Sequence, residues 1–477
     1  MINRRMFIAG AVSVLTAPYI LRNPAIAQTP RVRRDLSTLG NSDPFFSKYA
    51  DAVSKLHKLP ATDQRSWRNQ ALIHLNFCPH SVDGLAEDFV HWHRHYIANF
   101  EAICAQMIGD PGFALPYWNW TADRGRIPDP FYDTNELNVT FWKDPSNASS
   151  AHWGSAVSTV GTRNLMKGKG LLDTGGGGAF TKKAIDDIQG LPSFDLYSKR
   201  LEGSPHGVAH NVTGGDNGHM VDGMSPLDPI FWLHHCNVDR LWAQWQAAHS
   251  NGTPPASGTY SGQFVDAAGK PVTSATSANA LETSTFGYSY DVLVAASTSP
   301  RPAVKRSSPS SGGKAQPAAS LGADRTKKIA PVRTETRFTV GLTGLDATLS
   351  RFRTIWMNDS AGAPTPAAEV GRILASFKDV TGPENLAPSV VNVFINCPYL
   401  SPETPYEDRH FAGTFSLFGP SHHGRDYLVD ITEPVRSLLA DGKIASDSIN
   451  VQLMPQPVEK LGLDTKLSVG GVEILSV

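Results

Sequence analysis

Two stretches of this chain combine a helical hydrophobic period with histidines set among the apolar residues. Over Asp88 to Met107, Phe89, Trp92, Tyr96, Ile97, Phe100, Ile103 and Met107 recur at close to 3.6 residues. Over Asp228 to Gln246, Ile230, Phe231, Leu233, Val238, Leu241, Trp242 and Trp245 do the same, and Pro229 suits the first turn. The first stretch carries His91, His93 and His95; the second carries His234 and His235. An imidazole among apolar side chains needs a polar partner or a metal, since burying an unpaired polar group costs about 1–3 kcal/mol. These helices therefore demand a core, and they constrain what that core must hold.

Two further groups share the pattern. His206 and His210 are four apart, so on a helix their rings leave the same face one turn from each other. Upstream lies His74-Leu75-Asn76-Phe77-Cys78-Pro79-His80. Adjacent helical residues point about 100° apart, so only one of His234 and His235 is expected to reach a given ion. His91 and His95 flank His93 and read as outer or surface residues. The groups together suggest two clusters of three neutral imidazoles, with no carboxylate and no metal-spaced cysteine. Such ligation suits copper, zinc, iron or nickel. A zinc site would more often be completed by cysteine or a carboxylate.

The rest of the chain sets the context. It has 477 residues and a formal net charge of -1, which argues against a nucleic-acid partner or an anionic membrane surface. Cys78, Cys104, Cys236 and Cys397 follow no paired spacing, so a disulfide scaffold is not expected. Cys104 and Cys236 fall within the helical patterns and read as core. At the N-terminus, Asn3-Arg4-Arg5-Met6-Phe7-Ile8 reads as a twin-arginine export signal. An apolar stretch to about Leu21 follows, and Ala25-Ile26-Ala27 fits a cleavage site that leaves Gln28 first. That stretch is too short for an ordinary spanning helix, and no later one is expected. The expected location is therefore periplasmic or secreted, by way of the twin-arginine machinery.

Four segments follow from this reading: residues 1–27 as signal, 28–294 as a mainly helical domain that holds most of the histidines, 295–329 as a flexible linker, and 330–477 as a β-rich domain. The linker rests on Arg301 to Lys314, a Ser-, Pro-, Gly- and Lys-rich run that buries little apolar surface and invites proteolysis. The β-rich part rests on strand patterns at Arg337–Leu342, Ser389–Asn396, Gly413–Phe418, Ser448–Met454 and Gly471–Val477. Short strands between Gly, Pro and Asp turns suggest a sandwich or small barrel.

Several motifs resemble one family jointly. They are Trp92-His93-Arg94-x-Tyr96, Phe100-Glu101, Leu115-Pro116-Tyr117-Trp118-Asn119-Trp120, and the segment from Asp228 to Trp242. The chain resembles the superfamily of tyrosinase, catechol oxidase and molluscan haemocyanin, with a coupled (type 3) dicopper centre in a four-helix bundle. The resemblance implies His74, His80 and His93 on the first copper and His206, His210 and His234 on the second. It implies His235, Arg94 and Asp239 as residues behind the ligands. Cys78-Pro79-His80 resembles a Cys-x-His in which sulfur is joined to the ring as a thioether. One departure concerns His80: it lies 13 residues before His93, the loop 81–87 being longer than usual, and the family's ordinary position falls on Gly84.

The resemblance also implies function. Glu202, four before His206, corresponds to the residue that holds a water near the second copper and helps deprotonate phenols. Gly207 stands where efficient monophenolases often carry Asn, while Asn211 follows His210. Val221 and Met224 fall near a gate position over the copper pair; Phe231 and Trp232 read as core. Phe286-Gly287-Tyr288-Ser289-Tyr290 resembles the tyrosine motif closing the catalytic domain of plant polyphenol oxidases. Val391–Asn396, His410–Phe415 and Val451–Pro455 resemble their carboxyl-terminal shielding domain. The expected activity is O2-dependent oxidation of o-diphenols to o-quinones, in a latent proenzyme, with ortho-hydroxylation of monophenols left open. Alternatives are an o-aminophenol oxidase and a haemocyanin-like O2-binding protein.

Overall fold

The computed structural model describes residues 31–79, 88–139, 163–215, 218–221, 223–249, 257–293, 319–331, 333–344, 348, 371–382, 389–418, 424–444, 448–457 and 466–477. The export signal, most of the expected linker and His80 lie outside the described residues.

Among the described residues, seven α-helices make the first part: α1 (Pro44–His57), α2 (Trp67–Phe77), α3 (Phe89–Ile108), α4 (Lys182–Gln189), α5 (Phe194–Leu201), α6 (Gly207–Gly214) and α7 (Ile230–Ala248). Their starts are capped by side chains the sequence supplies. Asp43 accepts from the Phe45 N–H, Ser66 from Asn69 and Ser193 from Leu196. α3 ends at Gly109, whose φ of 68° closes the helix in the left-handed region. α7 starts one residue past Pro229, and the Asp228 carboxylate takes the Ile230 N–H at 3.1 Å while Arg163 neutralises it. α3 and α7 pack together, with Phe100 stacked on Trp232 at 3.4 Å between centroids. Each such fully buried side chain contributes roughly 1.5–3 kcal/mol.

Four short strands trim this part: β1 (Arg31–Arg33), β2 (Phe264–Val265), β3 (Pro271–Val272) and β4 (Tyr288–Tyr290). β1 pairs in parallel with β4, so the two ends of the helical region meet. Asp239 on α7 gathers that junction. It accepts from Arg94 at 2.5 Å, Tyr290 at 2.5 Å, Tyr288 at 2.6 Å and Arg33 at 3.3 Å. The tyrosine motif and both arginines thereby converge on one carboxylate.

The second part holds β5 (Ala319–Asp324), β6 (Lys328–Pro331), β7 (Thr336–Gly341), β8 (Ile373–Val380), β9 (Ser389–Ile395), β10 (Phe411–Leu417), β11 (Arg425–Asp430), α8 (Thr432–Ala440), β12 (Ser448–Pro457), β13 (Lys466–Val469) and β14 (Gly471–Ser476). Two antiparallel four-stranded sheets, ordered β10-β9-β12-β7 and β11-β8-β14-β5, enclose a shared core in a sandwich. All five expected strands form, with shifts of up to three residues at their ends. Residues 319–329, expected in the linker, instead supply β5 and the start of β6, because β5 completes a sheet by pairing with β14.

Period-two alternation on β9 explains how the two parts join. Val391, Val393 and Ile395 enter the sandwich core. Val390 joins the helical core instead, and Asn392 donates to the Gly175 carbonyl at 3.3 Å. The run Gly175–Gly178 is the matching floor. A Cβ on Gly178 would lie 2.4 Å from Cζ of Phe411, so only glycine admits that ring.

Candidate metal centre

Four helical segments place six described imidazoles in one buried volume. α2 brings His74, α3 brings His93, the irregular turn Glu202–His206 and α6 bring His206 and His210, and α7 brings His234 and His235. All six rings are buried. Among the described residues, ring nitrogens of His206, His210, His234 and His235 lie within 4.8 Å of one another, and so do those of His74, His93 and His235.

Four rings are oriented by main-chain carbonyls. Nδ1 of His74 meets the Gly223 carbonyl at 2.8 Å, His93 that of Phe89 at 2.7 Å, His206 that of Glu202 at 3.1 Å and His210 that of Met220 at 2.6 Å. Because a carbonyl only accepts, each Nδ1 carries its proton and each Nε2 keeps a lone pair. Nε2 of His210 and both nitrogens of His234 and His235 are buried without a protein partner. Burial, then the neighbouring imidazoles, pushes His210, His234 and His235 well below the usual imidazole range, so these rings are neutral. Buried, neutral rings with inward lone pairs fit a metal of imidazole preference. They would otherwise carry an uncompensated desolvation cost.

His235 differs from the expectation drawn from sequence, which set it behind His234. It stacks on His93 at 4.0 Å with planes 3° apart and faces Phe231 at 4.3 Å, between the two groups. His234 lies 4.6 Å from His210 and 5.1 Å from both His206 and Trp120, and groups with His206 and His210 but not with His74 and His93. α7 runs along the seam of the clusters, so both neighbouring faces of the helix look into the centre. Phe89 and Phe231 wall the site, at 4.7 Å from His206 and 5.0 Å from His74.

The remaining expected residues take diverse positions. Cys78 Sγ is 3.6 Å from Nε2 of His93; a bond to His80 falls outside the described residues. Glu202 is buried, and its main chain orients His206. Arg94 touches Asp239 and the carbonyls of Ala280 and Leu281. Met224 is fully buried, and Val221 packs against Gly214. Gly207 and Asn211 face β10. The Ser416 hydroxyl donates to the Gly207 carbonyl at 3.0 Å, and Asn211 Nδ2 donates to Ser416 at 2.7 Å and to the Leu417 carbonyl at 3.2 Å.

Sequence reading missed the residue that follows. Phe418 stacks on His210 at 4.1 Å and meets His206 edge-on at 5.8 Å. Parity along β10 was the available signal, since Thr414, Ser416 and Phe418 share a face while Phe415 enters the sandwich. The carbonyls of Gly223 and Met220 carried no signal at all.

Comparison with known proteins agrees with this architecture. Residues 48–248 match the common central domain of tyrosinase, and residues 323–477 match a domain of unknown function, DUF7868. A tyrosinase of Streptomyces glaucescens is 34% identical over 191 residues, 36% of this chain and 67% of that protein. Tyrosinase HcTyr1 of Hahella sp. (strain CCB-MM4) is 27% identical over 91% of this chain and 97% of its own length. Latent apple tyrosinase shares the fold, with a TM-score of 0.61 at 21% identity over 94% of this chain and 97% of that one. No helix among the described residues is long and apolar enough to cross a membrane. With a matching central domain, a relative at 34% identity and a buried histidine centre in the expected fold, this chain belongs to the tyrosinase family of copper oxidoreductases.

Proposed function

We propose that the centre binds two copper ions and that the chain oxidises o-diphenols to o-quinones with O2. The carrying observation is the set of four buried rings whose Nδ1–H groups are held by carbonyls, which makes Nε2 the basic nitrogen of each, within two groups of converging imidazoles. His74 and His93, with His80, would hold the first ion. His206, His210 and His235 would hold the second. We choose His235 over His234 because its ring nitrogens lie close to both groups, where ions acting as a pair must sit.

Copper, when bound, would supply O2 binding and accept electrons from the phenol. The protein's own groups do the rest. Phe89 and Phe231 exclude water, the carbonyls hold the rings in one tautomer, and Glu202 takes the phenolic proton through a water. Diphenol oxidation is preferred to hydroxylation of monophenols because Gly207 has no side chain to pin that water. The Phe418 ring over His210 supports a latent state, in which the C-terminal part covers the copper entrance until removed or displaced. The domain boundaries near residues 28, 294 and 319 and the twin-arginine export of the precursor belong to the same reading.

Copper analysis with a catechol assay tests it. Two ions per chain and O2-dependent quinone formation are expected. Fewer ions after full loading would remove the dicopper assignment. Two ions with no quinone, even after displacement of the cover, would favour reversible O2 binding. A faster rate on o-aminophenol than on catechol would reassign the substrate.

A further inference from the structure

The four carbonyl-held imidazoles divide into two kinds. His93 and His206 use carbonyls four residues earlier in their own segments, those of Phe89 and Glu202. His74 and His210 use the carbonyls of Gly223 and Met220, which both belong to the connection between α6 and α7. Each cluster therefore has one ring held locally and one held by this single connection.

We propose that Met220, Val221 and Gly223 form a spacer wedged between α2 and α6, orienting one ligand of each ion at once. The proposal rests on the dicopper reading above. Two glycines make the wedge fit. A Cβ on Gly214, in the last turn of α6, would lie 2.7 Å from Val221 Cγ1 and 2.9 Å from the Val221 main-chain nitrogen. A Cβ on Gly223 would lie 2.5 Å from Leu75 Cδ1 and 3.5 Å from Leu75 Cα, the residue after His74. The connection thus touches α6 through one glycine and α2 through the other. Its far side is fixed to α7, where the Trp232 indole donates to the Pro226 carbonyl at 3.2 Å, and Met220 and Met224 are fully buried.

Met220 and Gly223 stand three residues apart in the chain, so the geometry of the backbone couples a displacement of one to the other. A shift at one glycine therefore displaces both carbonyls. Gly214 and Gly223 are positioning residues: they act on the ions through His74 and His210.

The test begins with metal-free, full-length protein carrying 15N-labelled histidine, in which imidazole N–H protons resist exchange when hydrogen-bonded. Gly214→Ala is expected to expose two of these protons, those of His74 and His210, while His93 and His206 keep theirs. Titrating copper against a chelator should then show both ions weakened together, by about 10- to 100-fold. Gly223→Val enters the wedge from the α2 side and should reproduce the paired effect, which covers the case in which Gly214→Ala does not fold. Loss confined to one ring or one ion, or no loss with either variant, overturns the spacer. Wild-type protein binding fewer than two ions overturns the dicopper reading instead, and the metal-free exchange result still decides the spacer.

Discussion

The Phe418 ring stacks on the His210 imidazole, with 4.1 Å between centroids and 22° between the ring planes. An aromatic substrate approaching that ring from the same side would meet Phe418 first. The cover around it is held by Ser416 on Gly207, by Asn211 on β10, and by Arg200 on the Thr414 carbonyl at 3.3 Å.

Phe418→Ala in the full-length chain should therefore raise catechol turnover. Truncating a buried Phe costs about 3–5 kcal/mol, and part of that comes from the hold of the cover on the helical region. A shift of only 1.4 kcal/mol towards an open form is tenfold, so a rise of about tenfold or more is expected. Oxygen uptake with catechol measures it. An unchanged rate would mean that Phe418 does not obstruct the site.

Gly178→Ala should act in the same direction from a distance. The new methyl would collide with Phe411, lifting β10 without touching any imidazole. Copper content should stay at two per chain while activity rises and limited proteolysis between the two parts becomes faster. A variant with wild-type activity and wild-type proteolysis would show that the glycine floor does not seat the cover.

His234→Ala and His235→Ala separate the two adjacent rings. His235→Ala should lose at least one ion, because its ring lies where both groups converge. His234→Ala should retain two ions and lose mainly packing against Trp120. Metal analysis after equilibrium loading reads both, and the reverse pattern would return the ligand role to His234.

Asp239 predicts a pH effect. Burial alone would raise its pKa, but Arg94 and Arg33 outweigh it and hold the carboxyl below the usual range. The stabilisation is therefore complete above the unfolded carboxylate value of about 4 and is lost as pH falls below it. Asp239→Asn leaves two buried guanidinium groups short of a partner, which typically costs about 3–5 kcal/mol. Thermal unfolding of wild type and variant should differ most near neutral pH and converge below about pH 4. A gap that does not narrow on acidification would exclude Asp239 as the titrating group.

Local patterns were legible in the sequence because they depend on neighbours in the chain. Helical period marked α3 and α7, spacing of four marked His206 and His210, and alternation marked β7, β9, β10, β12 and β14. β8 escaped because Ile373 to Phe377 is buried on both faces and so does not alternate. β11 escaped because Arg425, Asp426 and Asp430 give it a polar composition, their charges being met by the Phe418 carbonyl, Lys378 and Arg372.

What the sequence determined by itself was the chemistry available: imidazoles on apolar helices, free of carboxylate, which must be paired or metal-bound. Tertiary structure decided how that chemistry is arranged. Which of two adjacent rings faces both clusters depends on how α7 lies against α3 and α6. The acceptor for His74 is 149 residues away and is a main-chain carbonyl, a group every residue carries and no motif can mark. The ring over His210 comes from the other sheet-bearing half of the chain. Period and spacing record contacts within an element; packing between elements leaves its trace only in the folded protein.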